Sequence, residues 1–171
     1  MPTPVWASFK GKTQGPISQG ASSEESVGNM AVEDHADECR IIEVKHNLFL
    51  PRDPASGQPT GQRVHEALSL VKVFDKASPL LRNALATGET LDEIVLKFYR
   101  TSSAGSLEHY MTWSMAGAIC VGIRTMVPNV LDPQYQQYGH LEEASFSYAD
   151  ITWTHEVAGT EATDSFRTFD V

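Results

Sequence analysis

The segment from Tyr110 to Val127 limits the possible folds most, because large and small side chains alternate along it. The larger apolar residues occupy odd positions: Met111, Trp113, Met115, Ile119, Val121 and Ile123. The even positions carry small or hydroxyl-bearing residues: Thr112, Ser114, Ala116, Ala118, Cys120 and Gly122. Successive side chains of an extended chain point to opposite faces. This period of two therefore predicts one long strand, or a bent pair of strands, with a large-residue face.

Other segments also favour strands. Val5 to Lys10, Arg40 to Phe49 and Val64 to Phe74 are rich in Val, Ile, Leu and Phe and are bounded by turn residues. The segment from Ile94 to Tyr99 alternates in the same way as the long one. Branched and aromatic residues between turn signals are typical of strands. The chain is therefore predicted to be all-β.

The apolar phase changes near the C-terminus. Even positions are apolar from Ala144 to Tyr148, whereas the next apolar residues, Ile151 and Trp153, are odd. One extra residue would produce this change, so we expect a β-bulge or a corner at Ala149 and Asp150.

One short helix is predicted, from Ser78 to Gly88. Ser78 can cap the free amides, Pro79 suits the first helical position, and Gly88 can adopt the left-handed conformation that ends a helix. Leu81 and Leu85 lie on one side, so the helix should pack against the sheets.

Two long irregular stretches separate these elements, from Gly11 to Glu38 and from Pro51 to Gln62. The second contains three prolines and two glycines between two predicted strands. Proline cannot donate to a strand ladder, so this segment should project as a stiffened loop. Loops of this length are often functional.

Composition argues against several classes of partner. The 171 residues, 41% of them hydrophobic, fit one domain spanning residues 1–171. The formal charge of −9 would repel nucleic acid. The first residues lack the pattern of a secretory signal, and the longest apolar stretch, Ala116 to Ile123, is too short to span a bilayer. We expect synthesis in the cytoplasm, no Sec-type export and no membrane insertion.

The sequence contains no complete catalytic motif. Gly11-Lys12-Thr13 resembles the end of a phosphate-binding loop, but Trp6 stands where the first glycine is required. No GxSxG nucleophile motif occurs. Glu142 and Glu143 are adjacent on a predicted strand and should point to opposite faces, which makes them a poor acid/base pair. We predict no catalytic residues and a protein that is not an enzyme.

Metal and cofactor sites are not predicted either. The six histidines include no His-x-His pair and no pair four residues apart, so zinc-binding spacings are absent. Cys39 and Cys120 lie far apart and are expected to be reduced, buried thiols. An acidic cluster lacks the spacing of a calcium loop and is interpreted as a solvated turn: Glu33, Asp34, Asp37 and Glu38.

The long strand is also unusual in lacking charge. No Lys, Arg, Asp or Glu occurs between His109 and Ile123. The outer face of a sheet in a soluble monomer is normally polar and partly charged. We infer that the small-residue face meets a second subunit or lines a shared internal surface: Thr112, Ser114, Ala116 and Ala118. The alternative is that the helix or the long loops cover this face.

Six segments, in order along the chain, resemble the Hcp (haemolysin-coregulated protein, TssD) family of the type VI secretion system. They are GKTQG at 11–15, SVGN at 26–29, DPASGQPTGQRVH at 53–65, PLLRNALATGE at 79–89, KFYRT at 97–101 and ITWTHEVAGT at 151–160. The resemblance implies a two-sheet β-barrel with one flanking helix and an extended loop. It also implies hexameric rings that stack into the inner tube of a contractile injector.

The resemblance further implies that the protein is secreted into the medium or target cells and carries small effectors. Its partners would be itself, the sheath, the baseplate and the spike. The loop from Pro51 to Gln62 resembles the family's extended loop, which reaches toward the neighbouring ring. The residues expected to make stacking contacts are Asp53, Ser56, Gly57, Gln58 and Arg63.

The chain departs from the family pattern in two places. It lacks the usual acidic residue in the strand between Met115 and Ala118, and it has Phe166 where tryptophan is expected. These differences bear on the chemistry of the lumen. Two alternatives remain from the sequence: a phage-type tail tube protein, and a small β-barrel enzyme or ligand-binding protein.

Overall fold

The structure is a computed structural model that describes residues 3–166. In this range it has eleven strands: β1 Val5–Gly11, β2 Gly15–Pro16, β3 Cys39–Lys45, β4 Leu48–Phe49, β5 Val64–His65, β6 Leu68–Val73, β7 Thr90–Thr101, β8 Leu107–Met126, β9 Leu141–Ser147, β10 Asp150–His155 and β11 Thr160–Ser165. The α-helices are α1 Glu24–Val27 and α2 Ser78–Thr87. Three short 3-10 turns cover Gly28–Met30, Glu33–His35 and Pro133–Tyr135.

Six of the strands close into a barrel in the order β8, β7, β1, β3, β6 and β9, and β9 returns to β8. All these neighbours are antiparallel. The all-β barrel with a flanking helix is therefore confirmed. Its two walls are joined in one continuous sheet, because β8 pairs first with β7 and, from Ile119 onward, with β9. Strands β10 and β11 extend the sheet from the first half of β8.

The alternation predicted for β8 reverses at Gly117. Met115 is fully buried as expected, but so is Ala118, three residues later. Gly117 has a φ of 60°, a left-handed conformation that shifts which side of the chain faces inward. Ala118 is thus a core residue, and its assignment to the small-residue face is wrong. A second irregularity, between Cys120 and Gly122, leaves Val121 exposed.

A corner joins β9 to β10, as the change of apolar phase predicts. Strand β9 ends at Ser147, β10 begins at Asp150, and the two residues between them are buried. The Ala149 amide donates to the Ala116 carbonyl at 3.1 Å, so the corner packs against the bend of β8. Through this corner the chain passes from β9, which pairs with the second half of β8, to β10, which pairs with the first half.

Helix α2 ends at a left-handed Gly88, as predicted, but it begins differently. Ala77 holds the capping position, and the Asp75 carboxylate accepts a hydrogen bond from the Ala77 amide at 2.9 Å. Ser78 is already helical, and its hydroxyl donates to Glu142 at 2.6 Å. The capping role predicted for Ser78 is therefore wrong. Leu81 and Ala84 bury the apolar side of the helix.

A buried ionic cluster fastens α2 to the barrel. The Lys72 ammonium, which is fully buried, donates to Asp75 at 2.9 Å and to Glu142 at 2.7 Å. Glu142 also accepts hydrogen bonds from Ser78 and Arg82. Desolvation acts to raise the pKa of Glu142, but Lys72 and the other donors outweigh it and lower this pKa. Glu143 lies on the other face, bonded to Arg124, so the predicted opposition of the two glutamates is confirmed.

Candidate assembly surfaces

Residues 48–65 form a projecting hairpin, which we call the arm. Strands β4 and β5 are its base, and an isolated bridge between Arg52 and Pro59 extends the pairing toward the tip. The Thr60 amide also donates to the Pro51 carbonyl at 2.9 Å. These bonds lie within the arm, so it keeps a defined shape while projecting from the barrel. The stiffened loop predicted from its prolines is confirmed.

Four of the predicted stacking residues lie together at the exposed tip of the arm. The Asp53 carboxylate accepts hydrogen bonds from the Ala55 amide and the Ser56 hydroxyl, both at 2.9 Å. The Ala55 amide, and then Ser56, lower the pKa of Asp53. Gly57, with a φ of 72°, closes the turn, and the Asp53 amide donates to the Gln58 carbonyl at 2.8 Å. Asp53 and Ser56 thus build the turn, which leaves backbone and small side chains exposed.

The base of the arm exposes three consecutive apolar side chains. Leu48, Phe49 and Leu50 are 43%, 41% and 50% exposed. An apolar patch of adjacent residues on a projecting element is typical of a protein contact surface. The sequence interpretation assigned this segment to a strand and missed its exposure.

Arg63, the fifth predicted stacking residue, lies elsewhere. Its guanidinium donates to both oxygens of Asp164, at 2.6 and 2.7 Å, and to the Ser165 carbonyl at 3.1 Å. These bonds join the arm to β11 of the same chain, so Arg63 anchors the arm. Arg63 is the largest influence on the pKa of Asp164, which it lowers.

A polar chain continues from this ion pair into the barrel. His65 Nε2 lies 2.6 Å from Asp164, and His65 Nδ1 lies 2.6 Å from the Tyr148 hydroxyl. His46 Nε2 lies 2.7 Å from the same hydroxyl. Tyr148 is buried, and desolvation, with a smaller contribution from Asp164, raises its pKa to about 12. The rings of Trp153 and Phe166 lie against His65.

The outer face of β8 carries the other predicted surface. Ala116 is exposed there, and Thr112 and Ser114 are half-buried. The Thr112 hydroxyl donates to Glu156 at 2.7 Å, and the Ser114 hydroxyl donates to Glu93 at 3.4 Å. The absence of charge is therefore a property of residues 109–123 alone, because neighbouring segments place charged side chains beside them. Lys97 lies opposite Thr112 on β7, so this face combines hydroxyl groups with both acidic and basic neighbours.

A groove of about 560 Å³ opens at the other end of β6 and β9 from the arm. Its apolar lining includes Met30, Ile42, Phe74, Tyr138 and Leu141. Ile42 and Tyr138 are more than half exposed. The arm follows β3 and precedes β6, whereas the groove lies beside Val73, where β6 ends. The two apolar surfaces thus occupy opposite ends of the same strands.

The segment that resembles a phosphate-binding loop is filled by the protein itself. The Thr13 and Gln14 amides both donate to Glu89 Oε1 at 2.7 Å. A carboxylate therefore occupies the position that a phosphate would need. Gly11 allows this approach, since a Cβ there would lie 2.6 Å from the same oxygen.

Glu38 differs from its prediction as part of a solvated acidic turn. It pairs with Lys97 at 3.2 Å and His35 at 3.4 Å, with its side chain 14% exposed.

Cys39 and Cys120 are buried as expected, and burial raises the pKa of both thiols. Within residues 3–166, no three His, Cys, Asp or Glu side chains are grouped to hold a metal. In the same range, no helix combines the length and apolarity needed to cross a membrane.

Comparisons with known proteins agree with the architecture. A family model described as "Type VI secretion system effector, Hcp" matches residues 12–155. The chain is 48% identical over 167 residues to the "Major exported protein" of Pseudomonas aeruginosa, covering 98% of this chain and 97% of that protein.

Two solved structures are similar over 98% of this chain and the whole of their own. One, described as "Crystal structure of Hcp protein", has a TM-score of 0.93 and 38% identity. The other, "Secreted protein Hcp3 from Pseudomonas aeruginosa", has a TM-score of 0.83 and 40% identity.

Proposed function

Because the chain belongs to the Hcp family of the type VI secretion system, we propose that it forms hexameric rings that stack into the secreted inner tube. The role is structural, with no catalytic step. The rings carry small effectors in their lumen and contact the sheath, baseplate and spike. The protein resides in the cytoplasm before firing and leaves the cell without a signal peptide. The name of the relative that is 48% identical, "Major exported protein", supports the export.

The placement of the two apolar surfaces carries the stacking proposal. The arm and the groove lie at opposite ends of the same strands. When copies are stacked in one direction, the arm end of each copy faces the groove end of the next. Such head-to-tail contacts use two different patches and repeat without limit along an axis. A tube made of identical rings requires this kind of contact.

Apolar burial sets the energy scale for stacking. Fully burying a Leu or Phe side chain contributes about 1.5–3 kcal/mol. Leu48, Phe49 and Leu50 are each about half exposed in the single chain, so burying the rest gives roughly 1 kcal/mol each. One arm then contributes about 3 kcal/mol, and six arms in a ring act together.

Lateral assembly is assigned to the sheet. The outer face of β8, with Thr112, Ser114 and Ala116, forms a subunit interface or lines the lumen. Its hydroxyls, the flanking carboxylates and Lys97 opposite Thr112 match a hydrated wall of mixed charge, which would favour effectors with polar surfaces. Ala118 takes no part, since it lies in the core.

Deleting Gly57 to Thr60 tests the role of the arm tip. The deletion removes the Pro59 bridge and the turn but leaves Arg63 and its bonds to Asp164. Light scattering should still show rings of about six subunits, whereas stacks and secretion should be lost. Rings that stack and are secreted normally after the deletion would contradict the assignment of the arm. A chain that stays monomeric over a wide concentration range would contradict ring formation itself.

Phe49→Ala separates the apolar base of the arm from its tip. The matched control is Leu80→Ala, because Leu80 lies on α2 and is similarly exposed, at 37% against 41%. Sedimentation should show weaker stacking for Phe49→Ala alone. Equal stacking by the two variants would show that the base of the arm is not buried between rings.

A further inference from the structure

Five side chains at the base of the arm form an unbroken series of hydrogen bonds: Arg63, Asp164, His65, Tyr148 and His46. We propose that this series, the latch, is proton-sensitive: it holds the arm against the barrel at neutral pH and releases it when both imidazoles are protonated. The consequence for stacking rests on the function proposed above.

The latch joins separate parts of the chain. Arg63 and His65 belong to the β5 side of the arm, and His46 lies just before β4. Asp164 belongs to β11, and Tyr148 lies in the corner between β9 and β10. Both sides of the arm are therefore tied to the barrel through the Tyr148 hydroxyl. At its base the arm adds only a two-residue ladder of its own, in β4 and β5.

The distribution of hydrogens follows from the chemistry of each group. The Asp164 carboxylate only accepts, so His65 Nε2 carries a hydrogen. In neutral His65 the other nitrogen, Nδ1, then accepts the hydrogen of the Tyr148 hydroxyl. The hydroxyl oxygen in turn accepts from His46 Nε2. In this arrangement each of the hydrogen bonds between the five side chains has one donor and one acceptor.

The latch tolerates one added proton but not two. If His65 gains a proton, its Nδ1 donates to Tyr148, and the tyrosine hydrogen turns to His46 Nε2. If His46 gains one, the neutral pattern of hydrogen bonds is kept. With both rings protonated, both nitrogens donate to one oxygen, and the tyrosine hydrogen has no acceptor between them. The two positive rings would also lie 6.3 Å apart.

The surrounding groups leave this conflict in place. Asp164 faces His65 but is already bonded to Arg63, and Glu66 is the acidic group that acts on His46. The other neighbours of the two imidazoles are uncharged aromatic rings: Trp113, Trp153 and Phe166.

The direction of the pH effect agrees with this geometry. Burial first, and His65 second, lower the pKa of His46 from its ordinary 6.5. The latched form thus binds fewer protons than the released form near pH 6, so its stability rises with pH. It is complete above the ordinary histidine pKa and is lost as the pH falls below that value. Release therefore allows His46 to take up the second proton, which the closed latch does not accommodate.

Amide hydrogen exchange on the full chain tests the proposal without requiring stacks. The reporters are the amides at the base of the arm, such as that of Glu66, which donates to the Asn47 carbonyl at 3.0 Å. Protection, corrected for intrinsic exchange, should fall by up to about tenfold between about pH 8 and about pH 5.5. Protection that is unchanged over this range would overturn the proposal.

Two variants and a control locate the effect. His46→Gln keeps an N–H donor for Tyr148 but does not titrate, so the arm should stay protected at both pH values. Tyr148→Phe removes the shared hydroxyl, so the arm should be unprotected at both, while circular dichroism shows a folded barrel. His140→Gln, beside Phe74 at the groove end, should respond as the native chain does. A full pH response in His46→Gln would refute the latch.

Stacking is measured separately, by sedimentation at the same pH values. Arm release with unchanged stacks would contradict the role of the arm in stacking and leave the latch established. A pH effect on stacking without arm release would contradict the latch.

Discussion

Replacing Lys72 with methionine should destabilise the barrel more than any other single loss of a lysine that the structure describes. Methionine is similar in length and fills the same space, but it leaves Asp75 and Glu142 without their cation. Asp75 Oδ2 is already buried without a hydrogen-bond partner, so this carboxylate has little to replace the lysine. Removing one member of a buried ion pair typically costs about 3–5 kcal/mol. Arg82 and Ser78 still bind Glu142, so we expect a cost of about 3 kcal/mol.

Lys97→Met is the matched control. Lys97 also lies on a strand and also pairs with a glutamate, at 3.2 Å, but its side chain is 35% exposed. Solvent-exposed pairs contribute about 1 kcal/mol or less. Urea unfolding followed by circular dichroism, at one fixed protein concentration, should therefore separate the two variants by roughly 2 kcal/mol. In a domain of this size, Lys72→Met should lower Tm by roughly 10 °C.

The pH dependence gives an independent check on the cause. Lys72 is the leading group that lowers the pKa of Glu142. A carboxyl with a lowered folded pKa stabilises above its ordinary value, here 4.5, and this contribution is lost as the pH falls through the folded pKa. Lys72→Met removes most of that contribution, so its deficit should be constant near neutral pH and shrink as the pH falls below about 4.5. A deficit no larger than that of Lys97→Met, or one that does not change with pH, would refute the electrostatic explanation.

Two further outcomes are expected. Gly117→Ala should lower the free energy of unfolding by about 1–2 kcal/mol, as measured by thermal unfolding, because Gly117 has a φ of 60° and the new Cβ would lie 3.0 Å from that of Ala149. Gly122→Ala is the control, because the space around Gly122 is open. Equal losses of stability in the two variants would contradict the strain at the β8 bend. Cys39 and Cys120 should resist iodoacetamide in the folded protein and react in urea, since burial raises the pKa of both thiols; mass spectrometry measures the modification, and rapid labelling of the native chain would contradict their burial.

The local pattern of the sequence predicted the elements of the fold well. Period-two alternation placed β7 and the first half of β8, and Gly88 marked the end of α2. Three prolines between two strands predicted the projecting arm. These features depend on neighbouring residues, because side-chain direction and backbone freedom are set within a few positions along the chain.

The contacts that define the candidate site depend instead on closure of the barrel. Lys72 and Glu142 are 70 residues apart in sequence, and Arg63 and Asp164 are 101 apart. Arg63 is predicted as a stacking residue because the arm resembles the extended loop of the Hcp family. Only the pairing of β10 with β8, and of β11 with β10, brings Asp164 to it.

The long strand β8 also shows which features the sequence determines and which depend on the tertiary structure. Alternation along Tyr110–Val127 determined by itself that this segment is a strand with two unlike faces. It did not determine that the inward face changes sides at Gly117, or that Glu93 and Glu156 lie beside the uncharged hydroxyls. A strand's sequence specifies what each of its faces carries, whereas the partner strands decide what each face meets.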